Sequence, residues 1–308
     1  MVAAVLVALP LPYYLLSPGT AVDLSHAIVV DAHAPPRDTF YLTDVTLQRA
    51  TPIAFAATLI PGYAIVPLRE LVPPGMSTNQ YQSILVEGMD ESQSVAAVVA
   101  ERAAGYHVPN PPSRVFVQSF TRADVPAARS LRVGDIFVSV DGSPITTTTQ
   151  ITQIVGRRRA GSTVAVEVSR GGQVLRFDVP TIPTKKGARF GVLVGVRSLH
   201  PILAVPVRFA IEDVSGSSGG LMFALDIYAA LDPAHVRGGR AIAGTGTLSF
   251  DGTVGAIEGT YQKLLAAKRA GATVFICPRE NYDDVRDVRD MRIVPVHTFA
   301  QAVAALRG

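Results

Sequence analysis

Two stretches of the chain carry side chains of complementary chemistry, an alcohol at Ser217 or Ser218 and an amine at Lys263. The serines lie in Ser215-Gly216-Ser217-Ser218-Gly219-Gly220, between an extended apolar run, Val205 to Ile211, and a segment with helical apolar periodicity. Small residues at a strand-to-helix junction let the backbone approach a ligand closely. A serine there has free N–H groups beside it and the positive end of the helix dipole, which suits the oxyanion formed when serine attacks a carbonyl. The same residues also build ordinary turns, and serine is a common N-cap, so both readings stand.

Lys263 falls in the first turn of a short predicted helix, with Thr260 as N-cap and Gly271 just past its end. The helix dipole disfavours a cation there, and Leu264 and Leu265 place the lysine near a buried edge. An ordinary lysine, pKa about 10.4, is neutral in about one molecule in a few thousand at pH 7. Desolvation lowers that pKa and makes the amine a usable base for a serine hydroxyl. The competing reading is a surface lysine with its stem buried and its head in water. A third reading comes from the serine peptide itself, because Gly216 to Gly220 fits GxSxG, the nucleophile elbow of α/β-hydrolases. That chemistry needs an acid and then a histidine downstream, and Asp290 and His297 follow in that order.

The elements that would position these groups come as ordered motifs. Gly216-Ser217-Ser218-Gly219-Gly220 is followed by Gly239-Arg-Ala-Ile-Ala-Gly-Thr245-Gly, then Asp251-Gly-Thr-Val-Gly-Ala-Ile-Glu-Gly259, then Gln262-Lys263-Leu-Leu-Ala-Ala-Lys-Arg-Ala-Gly271. This series resembles the Lon-type proteolytic domain over residues 189–308. The resemblance implies a Ser–Lys dyad: Ser218 as nucleophile, Lys263 as base, Thr245 as support, and the backbone at Ser217 and Gly219 around the oxyanion. The sequence departs from that family at four places. Ser217 stands where proline is usual, Gly219 where alanine is usual, Ser215 where an aspartate is frequent, and Glu258 within a turn that usually reads Pro-Ile-Gly-Gly. Glu258 is therefore expected to alter the charge near Lys263.

Residues 112–183 read as strand, short helix, strand, helix and a hairpin around Gly171-Gly172, and Val133-Gly-Asp-Ile-Phe-Val-Ser-Val-Asp-Gly resembles a PDZ domain. The resemblance implies peptide binding by strand addition. The groove would be lined by Arg114, Val115, Phe116 and Val117 and by the helix Gln150 to Val155, with Pro111-Pro112-Ser113-Arg114 in place of a glycine-rich carboxylate loop. The prolines remove donors from that loop.

The remaining features set bounds. With 308 residues and 48% hydrophobic content, the chain has room for about two domains and is not disordered. A net charge of +3 with scattered basic residues gives no nucleic-acid stripe. The single cysteine, Cys277, excludes an internal disulfide, and the histidines show no metal-ligand pairing. No GxxxxGK[ST] stretch occurs, so neither ATP nor another cofactor is expected. Residues 1–16 are uncharged and carry Tyr13 and Tyr14 near their end, which reads as part of a membrane anchor with the folded domains on the extracytoplasmic side; a cleaved signal peptide and a buried N-terminal strand are the alternatives. Residues 20–111 carry no evident chemistry, but a helical segment from Glu91 to Tyr106 resembles one that precedes the serine strand in Lon-type domains. Alternating strands and helices predict an α/β (α+β) catalytic domain with the PDZ domain inserted in it or ahead of it. The expected protein is an ATP-independent serine endopeptidase, possible as a homo-oligomer, that takes flexible or unfolded peptide substrates. The alternative is a tethered PDZ adaptor with an inactive protease-like domain.

Overall fold

A computed structural model describes residues 11–72, 78–122, 124–185, 187–198, 201–211 and 214–307. The chain divides into two units, one drawn from residues 1–71, 82–110 and 201–308, the other from residues 72–81 and 111–200.

The first unit is built on a six-stranded sheet. Its members are β1 (Tyr13–Asp23), β3 (Thr39–Arg49), β4 (Ala64–Pro67), β6 (Ala241–Gly244), β9 (Val274–Pro278) and β10 (Arg292–Val296). Their spatial order is β10-β9-β6-β3-β1-β4. The strands from β3 to β10 run parallel, and β1 pairs antiparallel with both β3 and β4. Four short strands, of two or three residues each, lie outside this sheet: β2 (Ile28–Val30) pairs with β5 (Val207–Phe209), and β7 (Thr247–Leu248) with β8 (Val254–Gly255).

Alternation along the central strands explains the layering, since successive side chains face opposite sides of a sheet. Phe40, Leu42, Ile242, Val274 and Ile276 pack on one face with α2 (Gly220–Leu231), α1 (Thr78–Ala103) and α4 (Phe299–Arg307). Tyr41, Ala243, Phe275 and Cys277 pack on the other with Leu264 and Ala267 of α3 (Thr260–Arg269). Every residue of α2 from Gly220 to Ala230 is buried, so this helix is apolar all round, as its central position requires. Asp38 and Arg240 tie the entries of β3 and β6 together. The Arg240 amide and guanidinium donate to both Asp38 oxygens, and the guanidinium also donates to the Leu306 carbonyl at the end of α4. Glu101 of α1, fully buried, accepts from the amides of Ala204 and Val205 and so fixes the segment that leads to the serine loop.

The second unit is an antiparallel sheet in the order Val192–Ser198, Ser113–Phe120, Ile136–Val140, Thr163–Arg170, Gln173–Pro180, with the helix Thr148–Gly156 against it. Thr147 and Gln150 form a capping box at the start of that helix. Arg170 donates to both oxygens of the buried Asp135, whose carboxylate also accepts from the Arg132 amide.

Several expectations need correction. The strand after Pro183, assigned from sequence to the proteolytic domain, is Val192–Ser198. It pairs with Ser113–Phe120 from Val192↔Phe120 to Ser198↔Ser113, because its inward Val192 and Val194 join that unit's core. Tyr13 to Leu16, read as the end of a membrane segment, instead open β1, hydrogen-bonded between β3 and β4. Residues 1–10 of the expected anchor lie outside the described residues. The helix expected from Glu91 begins at Thr78. The lysine helix is capped by Gly259 rather than Thr260, with Gly259 in the left-handed region at φ 72°.

Candidate active site

Ser218 sits at the entrance of α2, on one face of the sheet, and Lys263 one turn into α3, on the other. They meet just beyond the end of β6, where Gly244 gives way to Thr245. Lys263 Nζ lies 2.5 Å from Ser218 Oγ and 3.2 Å from Thr245 Oγ1. Lys263 is only 4% exposed and Thr245 fully buried. The Thr245 hydroxyl donates to the Ser218 carbonyl at 3.1 Å, and the Gly246 amide donates to the same oxygen at 2.8 Å. Having given its proton to that carbonyl, the Thr245 hydroxyl can only accept from the amine. It therefore takes an N–H of Lys263 and leaves the nitrogen lone pair for Ser218.

Glycines let the backbone reach this geometry. Gly216 is in the left-handed region at φ 95°, and its amide donates to the Leu85 carbonyl of α1 at 2.8 Å. Gly244 passes so close to β9 that a Cβ would fall 2.4 Å from the Ile276 carbonyl oxygen. A Cβ on Gly219 would meet Leu42 Cδ1 at 2.7 Å and the Phe223 ring at 2.9 Å, which accounts for glycine where alanine was expected. Among the described residues the amides of Ser217, Ser218 and Gly219 find no backbone acceptor, at the positive end of a buried helix.

Burial pushes the Lys263 amine down from 10.5 to about 8, and the Asp44 carboxylate opposes that shift by attraction. Asp44, on β3, accepts from the Thr20 amide and from Thr20 Oγ1, clamping the bulge between Pro18 and Ala21 in β1. Glu258, expected to influence the lysine, is exposed and plays no part in its shift. The charge near Lys263 comes instead from Asp44 on β3, a strand that no local motif places beside the lysine. Asn281 was likewise missed: its side chain accepts from the Ile257 amide and donates to the Ile257 carbonyl, fixing the turn that delivers α3. A cavity of about 140 Å³ opens beside Ser218 and Lys263, walled by Leu42, Val45, Met89 and Val214 with Asp44 at its side.

Other predicted residues are not brought here. Asp290 pairs with Lys268 at 2.7 Å, and His297 Nδ1 faces Glu280 at 3.2 Å, so the hydrolase-type triad with Ser218 does not form. The strand holding Arg114, Val115, Phe116 and Val117 has neighbours on both sides, Val192–Ser198 and Ile136–Val140. It offers no edge for an added strand; among the described residues the outer strands of this sheet are Val192–Ser198 and Gln173–Pro180. That edge strand follows Phe190-Gly191, with Gly191 at φ 76°, so the loop before it is not the proline-rich Pro111 to Arg114. Cys277 is buried, and its thiol is pushed up to about 12 by burial.

Two known families match separate parts of the chain. Residues 209–306 match the Lon protease (S16) C-terminal proteolytic domain, a span that holds Ser218, Thr245 and Lys263. Residues 89–181 match the PDZ domain, a span that begins within α1 and stops before the edge strand. Among curated relatives, the Lon protease of Xanthomonas oryzae pv. oryzae is 36% identical over 156 residues, covering 41% of this chain and 18% of that protein. Lon protease 2 of Bacillus subtilis is 31% identical over 91 residues, covering 29% of this chain and 16% of that protein. The chain thus spans less than a fifth of the length of these relatives. Among solved structures, the PDZ domain of the SdrC-like protein from Listeria monocytogenes is 27% identical, covering 26% of this chain and 85% of that one, with a TM-score of 0.25. In the segment that brings Ser218 to Lys263 the chain is similar to the proteolytic domain of Lon proteases, and in the segment ahead of it to PDZ domains.

Proposed function

We propose that the protein is a serine endopeptidase working through a Ser218–Lys263 dyad. The observation that carries this reading is the contact of a buried amine, lowered to about 8, with the hydroxyl at a helix entrance. Neutral Lys263 accepts the Ser218 proton as Oγ attacks the peptide carbonyl. The freed amides at Ser217, Ser218 and Gly219 hold the oxyanion. The ammonium returns its proton to the leaving amine, and water, deprotonated by the same lysine, resolves the acyl-enzyme. Thr245 keeps the amine aimed throughout. About one lysine in ten is neutral at pH 7 with this pKa, against one in a few thousand for a free lysine. The steps consume no nucleotide, so the substrates are flexible or unfolded segments that need no mechanical unfolding.

The second unit would select such segments by strand addition at Val192–Ser198, alongside the helix Thr148–Gly156. The uncharged, apolar residues 1–10, ahead of β1, support attachment to a membrane, with both units on its extracytoplasmic side. Labelling of the intact chain with a serine-directed phosphonate tests the core of the reading. Wild type is expected to label at Ser218, with a rate rising through pH 8, while Ser218→Ala and Lys263→Ala do not react. Equal labelling of Lys263→Ala and wild type, or a rate flat from pH 6 to 9, would leave only the peptide-docking role.

A further inference from the structure

An uncharged, apolar surface lies at the β1–β4 edge. Between Arg49 and Arg69 no residue carries a charge, and the first charged residue of the whole chain is Asp23. Hydrogen bonds bring these two uncharged stretches side by side: the Leu11 amide donates to the Ala50 carbonyl, the Ala50 amide to that of Tyr13, and the Leu68 amide to that of Pro12. From the joined edge rises a 3-10 helix, Pro52–Leu59, none of whose residues is buried. Ile53 is 58% exposed, Phe55 43%, Leu59 86% and Ile60 54%. Tyr13 stacks edge-on against Phe55 at 5.8 Å.

Such a patch on a folded domain marks a contact surface. Its polar backbone is looked after from within. The Ala54 amide donates to Thr51, that of Ile60 to Ala57, that of Tyr63 to Ile60, and the Thr58 hydroxyl caps the Phe55 carbonyl at 2.7 Å. With its backbone paired internally, the segment can enter a hydrocarbon environment without leaving polar groups unsatisfied. Two exposed arginines, Arg49 and Arg69, flank the stretch, with Glu70 beyond the second, and cations at the margin suit anionic head groups. The loop is held rigidly at its base, where Gly62, at φ 89°, leaves no room for a side chain beside Leu265 of α3 and Pro18 of β1.

We propose that Pro52–Ile60 inserts into the interfacial layer of an anionic lipid bilayer, independently of residues 1–10 and of any activity at Ser218. The test uses the full chain carrying Leu59→Cys with an environment-sensitive fluorophore. Cys277, fully buried, stays unlabelled. Asp287→Cys, at an exposed position away from the patch, serves as control. With phosphatidylcholine–phosphatidylglycerol vesicles the label at position 59 is expected to enter an apolar environment and to be quenched by brominated acyl chains, while the label at 287 stays in water. Phe55→Asp and Ile60→Asp are each expected to weaken partitioning of the full chain roughly tenfold. Vesicle binding that leaves the label at 59 in water would assign attachment to residues 1–10 and overturn the proposal. A shift without vesicles that grows with protein concentration would mean a second copy covers the patch. A shift without vesicles at every concentration would mean the chain's own first residues do. Both outcomes overturn it equally. None of these readouts depends on catalysis, so their failure leaves the protease reading untouched.

Discussion

Replacing Lys263 by methionine is expected to destroy activity and to stabilise the first unit, with a pH signature that only a desolvated amine produces. In the unfolded chain the lysine holds its proton up to pH 10.5, whereas in the folded state it gives it up near 8. Below pH 8 folding must therefore bury a charge or release a proton, and at 1.36 kcal/mol per unit that costs about 3 kcal/mol. The cost fades as pH rises from 8 to 10.5, because the unfolded lysine then loses its proton as well. Methionine fills nearly the same volume without charge. It forfeits the contacts of Nζ with Ser218 Oγ and Thr245 Oγ1, worth about 1 kcal/mol together, since Thr245 keeps its bond to the Ser218 carbonyl and Ser218 faces the cavity. The net expectation is a gain of about 2 kcal/mol at pH 6, or about 4–8 °C in the transition of the first unit. Calorimetry of wild type and Lys263→Met at pH 6, 8 and 10.5 measures it. A variant no more stable than wild type at pH 6, or a gain that persists undiminished at pH 10.5, would refute the buried-amine argument.

Two further substitutions probe charges that act on the same machinery. Asp44→Asn removes the attraction that holds the lysine proton, so the acid limb of the pH–rate profile is expected to move to lower pH while Thr20 keeps an acceptor; a limb that stays put or moves up excludes Asp44 as the tuning group. Asp226, midway along α2, has an oxygen without a partner, and burial together with nearby Asp23 raises its carboxyl from 3.8 to about 7. Because its folded pKa is raised, stability is lost as pH climbs from 3.8 through 7. Asp226→Asn is thus expected to gain up to about 4 kcal/mol at pH 8 and nothing at pH 3.5, measured by urea unfolding. An equal gain at both values would mean the carboxyl does not titrate in this range.

The parts of the site that could be read in advance are those whose requirement is local. Gly216 is needed for a left-handed backbone, small residues must precede a helix that comes close to a strand, and Gly271 must follow one that ends. Each leaves a mark within a few positions of where it acts. The succession of strand and helix segments from Val205 onward is also local, and it carries the α/β class. The second unit's sheet was legible up to its hairpin, but the edge strand was not, because nothing in Val192 to Ser198 says which sheet it joins. That one pairing takes Arg114–Val117 from the edge of the sheet into its interior and changes the whole expectation for peptide docking.

What stayed hidden is the electrostatics of the lysine, and the reason is topological. Asp44 reaches Lys263 because β3 is the neighbour of both β1 and β6, and because a bulge in β1 offers Thr20 to its carboxylate. Neither a parallel pairing across two hundred residues nor a bulge is encoded by periodicity. The family resemblance pointed instead to positions near Lys263 in sequence, Glu258 above all, whose side chain lies in solvent. A base is recognised by what it touches, but its strength is set by what surrounds it. Here the touching partners come from ordered motifs and the surroundings from strand order. An aspartate on β3 therefore belongs to the site as a positioning charge, although no motif contains it.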